Sequence, residues 1–404
     1  MKVYIITNIG FPNGLAPGNR IKCYAKAILH AGIDCEVIIY RRTERYGYAP
    51  KNTDGEGVYE GISFKYIAGT PLRGRNVFIR RFNDYKDKLK LRFYLKSVLK
   101  ENDIVFAYSG HDVKYNIAIC KLVHELKAKY ITELCELPYG TSKETSSTIR
   151  NRHIVESKLL PIVDGVIPIS ESLKEYAQQF VNAKCCIQKI PIMVDFEKCN
   201  LENKSDEAEC PYIFHSGALT EQKDGILGVI EAFGIAAQKL PEIRYLLTGN
   251  LENSQYAKRI TELLSEYNIK DRVIFLGYLT DDKLRDYLAH ASLTIINKYR
   301  TQQNKYCFAT KLGEYMAAGK PVITTNVGES QNWLSNEKNA YIVEAENVKI
   351  LAETIIKAFE NPTERKAIGE CARQTCNTSF YYTIYSEILK KYCISLSDEN
   401  FEFS

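Results

Sequence analysis

The sequence predicts an α/β protein of two domains, each a parallel sheet covered by helices. Three observations predict it. Apolar runs of strand length alternate with helically patterned segments along the whole chain. A length of 404 residues is enough for two ordinary cores. And the stretch NLENKSDEAE at 200–209 interrupts the alternation midway with ten residues that are almost all polar.

In the first half, strands are expected at 3–9, 35–40, 62–68, 103–108, 130–134 and 165–169. Each is a short apolar run closed by polar or Gly/Pro residues. Helices are expected at 20–31, 114–127, 147–160 and 171–182, where apolar residues recur every three or four positions. The second half repeats the theme. Its strands are expected at 212–215, 244–248, 272–276, 293–297 and 321–325, and its helices at 225–239, 254–267, 281–290, 309–318 and 347–360. After Pro362 the chain reads as helix to about residue 392, with a frayed tail. The expected domains are 1–200 and 201–376, with the helix of 377–404 packing back toward the first domain.

Composition is that of an ordinary globular protein, 25% charged and 45% hydrophobic. The net charge of +5 conceals an asymmetry. Residues 1–195 carry 30 Lys and Arg against 20 Asp and Glu, whereas the remainder carries 24 against 29. A basic first half is suited to something anionic. The 12 cysteines are scattered, without CxxC pairs or zinc-site spacing, which fits a reducing, cytoplasmic setting. The N-terminal apolar run is too short for a signal peptide. No run is long enough for a membrane span.

The most informative segment is NKYCFATKLGEYMAAGKPVITT at 304–325. A loop ends near Ala309, a helix follows and stops at Gly319, and Pro321 opens a buried strand. At the helix start, the N–H groups of Ala309, Thr310 and Lys311 lack intrahelical partners and form an anion site, aided by the helix dipole, and Leu312 beside them is a further donor-site candidate. Lys311 adds positive charge, and Glu314 one turn later can accept hydrogen bonds from ribose hydroxyls. Together these suit a nucleoside diphosphate. The alternative is a plain amphipathic helix with Lys311 and Glu314 as a surface pair. A second anion candidate is SGALTEQKDGI at 216–226, where Gly217 opens a loop and Lys223 can reach a phosphate; the alternative is a solvated lysine. A third is GFPNGLAPGNR at 10–20, where Gly14 and Gly18 permit close backbone approach, although GxGxxG is absent.

Together these segments resemble the family-4 glycosyltransferases, retaining enzymes of the GT-B fold. KLGEYMAAGKPV at 311–322 is similar to the family's donor-site helix, and GALTEQKDG at 217–225 to the first loop of its second domain. TGN at 248–250, which includes Asn250, and FLGYLTDDKL at 275–284 are similar to its nucleotide-base loops. The resemblance implies two Rossmann-like domains whose parallel sheets face a central cleft. It implies transfer of a sugar from a nucleoside diphosphate-sugar to a glycan or lipid-linked glycan, in surface polysaccharide or glycolipid synthesis. By the same resemblance Glu314 binds the donor ribose, Lys223 binds phosphate, and the amides of Ala309 and Thr310 face the diphosphate. Gly14 and Gly18 lie in the loop that closes over the substrates. No cofactor or metal is expected; the chain has no DxD triplet.

Two positions depart from the family's pattern. Tyr306 stands where the first glutamate of a pair is usual, and Ala218 where an arginine is usual. Lys311 or Arg300 is then expected to supply the missing charge. Both departures also fit a catalytically silent nucleotide-sugar-binding partner of another transferase. His111 follows the strand 103–108, near where relatives place a reaction-centre histidine. Glu136 follows the strand 130–134, at the sheet end where ligands gather. Both are candidate catalytic residues, and a structural or surface role is the alternative for each.

Residues 73–100 hold ten Lys and Arg against Asp84 and Asp87. Within them Phe78, Phe82, Tyr85, Leu89 and Phe93 recur at helical spacing. One reading is a basic amphipathic helix on an anionic membrane surface at the cytoplasmic face. The other is a core-facing stripe with a solvated basic face. No nucleic-acid recognition motif accompanies the charge.

Overall fold

The structure is a computed structural model that describes residues 1–108, 112–140, 144–199, 210–217 and 219–397. The chain divides into two compact units. The first is Met1–Met193 together with the segment from Tyr382 onward, and the second is Val194–Tyr381.

The first unit is built on an eight-stranded sheet. Its strands are β1 (Lys2–Thr7), β2 (Asp34–Ile39), β3 (Glu56–Tyr59), β4 (Ile62–Tyr66), β5 (Ile104–Tyr108), β6 (Lys129–Leu134), β7 (Gly165–Pro168) and β8 (Cys186–Ile187). Their order across the sheet is β3-β4-β2-β1-β5-β6-β7-β8. Every pairing is parallel except the β3–β4 hairpin. The central strands are apolar on both faces because helices cover both. Ile5 sits opposite Val37 on one side and Phe106 on the other. The helix Ala16–His30 buries Ile21, Tyr24, Ala25 and Ile28.

The helix Ser386–Ser397 also belongs to this unit, sending Leu389, Tyr392, Cys393 and Leu396 into its core. Residue 165 has to be glycine for that fit. A Cβ there would stand 2.1 Å from the Tyr392 hydroxyl.

The basic segment forms the helix Val77–Val98, capped by the Asn76 side chain, which accepts from the Phe78 N–H at 2.8 Å. Its buried residues are Asp87, Leu91 and Leu95. Phe78, Phe82, Tyr85 and Phe93 are exposed, so this stripe is not a core face.

The second unit has six strands, all parallel: β9 (Tyr212–His215), β10 (Arg244–Leu247), β11 (Val273–Phe275), β12 (Leu293–Ile296), β13 (Val322–Thr325) and β14 (Tyr341–Val343). Their order is β11-β10-β9-β12-β13-β14. The helices Ile226–Lys239 and Val348–Glu360 pack together over its core, and Pro362–Ser379 packs on Thr310–Ala317.

Several expectations shift. The helix expected from Pro362 to about residue 392 is two helices, Pro362–Ser379 and Ser386–Ser397, with the turn Tyr382–Tyr385 between them. The helix expected at 147–160 is Ser146–Ile154 followed by a π-helical turn, Val155–Leu159, ahead of Pro161. Strands β3, β8 and β14 were not expected, and β8 has only two residues. β3 is an exposed edge without an apolar face, and β14 has three residues, too few to display a period. Among the described residues no helix is long and apolar enough to cross a membrane.

Candidate functional site

In the second unit, strand order reverses between β9 and β12, and the chain leaves the carboxyl ends of these neighbours in opposite directions. Such a switch point is where ligands bind in open parallel sheets. The chain leaving β9 passes Ser216 and Gly217 and enters the short helix Glu221–Asp224. Hydrogen bonds staple this loop on two sides. Ser216 N–H donates to the Tyr315 hydroxyl at 2.7 Å, and the Ser216 and Tyr315 hydroxyls lie 2.9 Å apart. Gly217 N–H donates to Thr248 Oγ1 at 2.8 Å, and Thr248 Oγ1 donates back to the Gly217 carbonyl at 3.0 Å. The chain leaving β12 joins it where Asn297 Nδ2 donates to the Gly225 carbonyl at 2.9 Å and Lys298 Nζ to the Lys223 carbonyl at 3.2 Å.

Beside Gly217 lies a compact charge cluster. Lys311 Nζ is 2.5 Å from Asp224 Oδ1, and His215 Nε2 is 3.9 Å from the same oxygen. Burial acts to raise the Asp224 carboxyl, but Lys311 foremost outweighs it and holds the group below the usual carboxylate value. Burial, followed by repulsion from Lys311, pushes the His215 imidazole down to about 3. The histidine is therefore neutral at physiological pH, and the cluster is one cation against one anion. A side chain at 217 would collide with it. A Cβ there would stand 2.8 Å from Lys311 Nζ and 3.0 Å from His215 Nε2.

The helix that carries Lys311, Thr310–Ala317, begins at Ala309 without a side-chain cap. Its first amides have no preceding helical carbonyl, and the helix dipole adds positive potential there. The approach to this start is lined by aromatic rings. Phe308, Trp333 and Phe380 pack together with ring centroids 5.1 to 6.5 Å apart. The arrangement offers backbone donors, an adjacent ammonium and a small residue at the closest point, which is the chemistry that holds a phosphate group.

The residues expected from sequence fall as follows. Gly217, Lys311, Ala309, Thr310 and Leu312 belong to this one locus. Lys223 is exposed and Glu314 half-buried, one residue before Asp224 and three after Lys311. Asn250 caps the turn Leu251–Asn253, two residues beyond the Thr248 that holds Gly217. Arg300 is engaged elsewhere, with Asn326 at 3.2 Å, Glu346 through its N–H at 3.0 Å, and Glu344 at 3.7 Å. In the first unit, Gly14 lies in the loop after β1 and Gly18 in the first turn of the following helix. Glu136 is exposed just beyond β6. His111 and Ala218 lie outside the described residues.

Sequence reasoning missed Asp224, His215, Thr248 and Tyr315. It also missed a buried ion pair in the first unit between Arg20 and Glu133, each 2% exposed. Arg20 further donates to the carbonyls of Pro191 at 2.6 Å and Ile190 at 2.9 Å, and Tyr24 donates to Glu133 at 3.0 Å. The available signal was a charged residue inside an apolar run, as in ITEL at 131–134.

Residues 199–375 match the model of the family described as glycosyl transferases group 1. The chain is 23% identical over 259 residues to an uncharacterized glycosyltransferase, YqgM, of Bacillus subtilis, a match covering 61% of this chain and 68% of that one. It is 25% identical over 252 residues to the capsular polysaccharide biosynthesis glycosyltransferase CapM of Staphylococcus aureus, covering 59% of this chain and 63% of that one. Among solved structures it is similar to Anabaena Alr3699/HepE in complex with UDP. That match has a TM-score of 0.68 at 15% identity and covers 98% of this chain and 100% of the other.

Proposed function

We propose that the chain is a group 1 glycosyl transferase: its residues 199–375 match that family's model, and its fold is GT-B. From that premise we propose that it transfers a sugar from a nucleoside diphosphate-sugar to a glycan or lipid-linked glycan, with retention of anomeric configuration and without a metal ion. The observation that carries this reading is the uncapped start of Thr310–Ala317 beside Gly217 and Lys311, at the switch point of the second sheet. The second unit binds the donor and the first unit the acceptor. As the glycosidic bond breaks, negative charge grows on the diphosphate. The fixed amides of Thr310 and Lys311, with the ammonium groups of Lys223 and Lys311, stabilise that charge without reorganising. Asp224 keeps Lys311 extended toward Gly217, so the ammonium is in place before the donor arrives. Glu314, on the same helix, accepts the ribose hydroxyls.

The similarity to a capsular polysaccharide enzyme supports a place in surface-glycan synthesis, and the basic first unit supports work at the cytoplasmic face of a membrane. The test is calorimetric titration with uridine, guanosine and adenosine diphosphates and their sugars, followed by assay of released diphosphate in the presence of chelator. One nucleotide is expected to bind, and turnover is expected to survive chelation. Lys223→Ala and Glu314→Ala are each expected to lower kcat/KM at least about tenfold, the loss of one charge-assisted contact. No heat with any nucleotide would end the proposal. Binding without turnover would favour the silent partner subunit that Tyr306 also fits.

A further inference from the structure

The basic helix Val77–Val98 has two apolar sides, and only one of them is covered. Asp87, Leu91 and Leu95 face the core. Phe78, Phe82, Tyr85 and Phe93 are 80, 66, 64 and 71% exposed. With 3.6 residues per turn, positions 78, 82, 85, 89 and 93 fall within about 80° of arc, centred roughly 160° from the buried side. An aromatic stripe at helical spacing ordinarily marks a core face. Here it points outward.

The charges on the helix are sorted in the same way. Its two carboxylates are turned to the body of the unit, Asp84 against Arg41 at 3.1 Å and Asp87 against Arg42 at 3.2 Å. Lys88 is held by Asp112 and lies over the Tyr115 ring. Arg81, Lys86, Lys90, Arg92 and Lys96 are exposed. Arg81 and Arg92 fall on one flank of the stripe and Lys86 and Lys90 on the other, so cations border the rings on both sides.

We propose that this face is a docking surface for an anionic phospholipid bilayer. The helix lies in the membrane plane, the rings enter the boundary between headgroups and acyl chains, and the flanking cations meet lipid phosphates. The charge pattern selects this occupant over a second copy of the chain. A two-fold contact through the stripe would set each basic flank against a basic flank, with no acidic side chain on the exposed face to offset the repulsion. The inference deepens the membrane-face part of the proposed function and is independent of the donor site.

The experiment is flotation of the full chain with vesicles of phosphatidylglycerol and phosphatidylcholine, or of phosphatidylcholine alone, at low and high salt. The variants are Phe78→Ser/Phe82→Ser and Lys86→Glu/Lys90→Glu/Arg92→Glu, all at exposed positions. The wild-type chain is expected to float with the anionic vesicles, and salt to weaken that binding. Each variant is expected to bind at least about a hundredfold more weakly, through the lost burial of the rings or the lost attraction of the cations to the surface. Melting temperature and nucleotide titration should remain as in the wild type. Absence of flotation at low salt, equal binding to phosphatidylcholine alone, or variants that bind like the wild type would overturn the proposal. So would a dimer abolished by Phe78→Ser/Phe82→Ser in a chain that ignores lipid. Flotation without nucleotide binding would strike the donor reading alone.

Discussion

Gly217 sits where a loop, an ammonium, an imidazole and a carboxylate converge. Its N–H and carbonyl are both taken by Thr248, so the backbone there is fixed by two short hydrogen bonds. The freedom that remains belongs to Lys311, the far end of a flexible side chain. Gly217→Ala therefore asks for a movement of Lys311 Nζ, which would stand 2.8 Å from the new methyl group, while His215 is held on the strand. The fold is expected to survive, with a lowered melting temperature, because the Lys311–Asp224 pair is disturbed and His215 does not give way. Donor affinity is expected to fall about tenfold or more, because the ammonium no longer waits where the diphosphate lands and a displaced charge-assisted hydrogen bond is worth about 1.5–3 kcal/mol. Nucleotide titration of the variant beside a thermal melt separates the two effects. Unchanged affinity would mean that the position of Lys311 does not matter for binding.

At the scale of elements, the helix Thr310–Ala317 and the loop after β9 are joined chiefly through Tyr315. Its ring is buried, and its hydroxyl is the acceptor for Ser216 N–H. Tyr315→Phe removes that acceptor and leaves a buried donor unmet, at a cost of about 1–3 kcal/mol. Denaturant unfolding should register the loss. Nucleotide titration should show weaker binding as well, since the loop and the helix start would no longer be held in register. A variant with wild-type stability would mean that water or another group satisfies Ser216.

The helix itself was legible from Gly319, Pro321 and its apolar spacing, and it begins within a residue of the expected start. Its partners were not legible. Asp224 and Lys311 are 87 positions apart, and a pair at that distance leaves no local pattern. The basic helix shows the converse. Its aromatic period was plain in the sequence, but which side faces the core depends on Asp87, Leu91 and Leu95. A buried aspartate paired with Arg42 carries no apolar signal.

For the whole molecule, chain order and spatial order part company at the C-terminus. The alternation of strands and helices announced two sheets, but the break expected at the polar run 200–209 is displaced: the second unit already begins at Val194. The returning segment is harder to read. The helix at the C-terminus was expected to pack back toward the first domain, but its apolar pattern alone reads the same in either unit. The structure gives Tyr392 to the first unit, where it is fully buried and its hydroxyl donates to the Cys186 carbonyl at 3.1 Å, beside Gly165. The edge strand β8 thus depends on residues more than 200 positions later in the chain. Tyr392→Ala would open a cavity the size of an aromatic ring in that core, at a cost of about 3–5 kcal/mol. The change should appear as lost hydrogen-exchange protection in β1, β2, β7 and β8. The amides of β9, β12 and β13 should keep theirs, because the cores of the two units share no buried residue. Equal loss of protection in both sheets would mean that the units unfold as a single cooperative body.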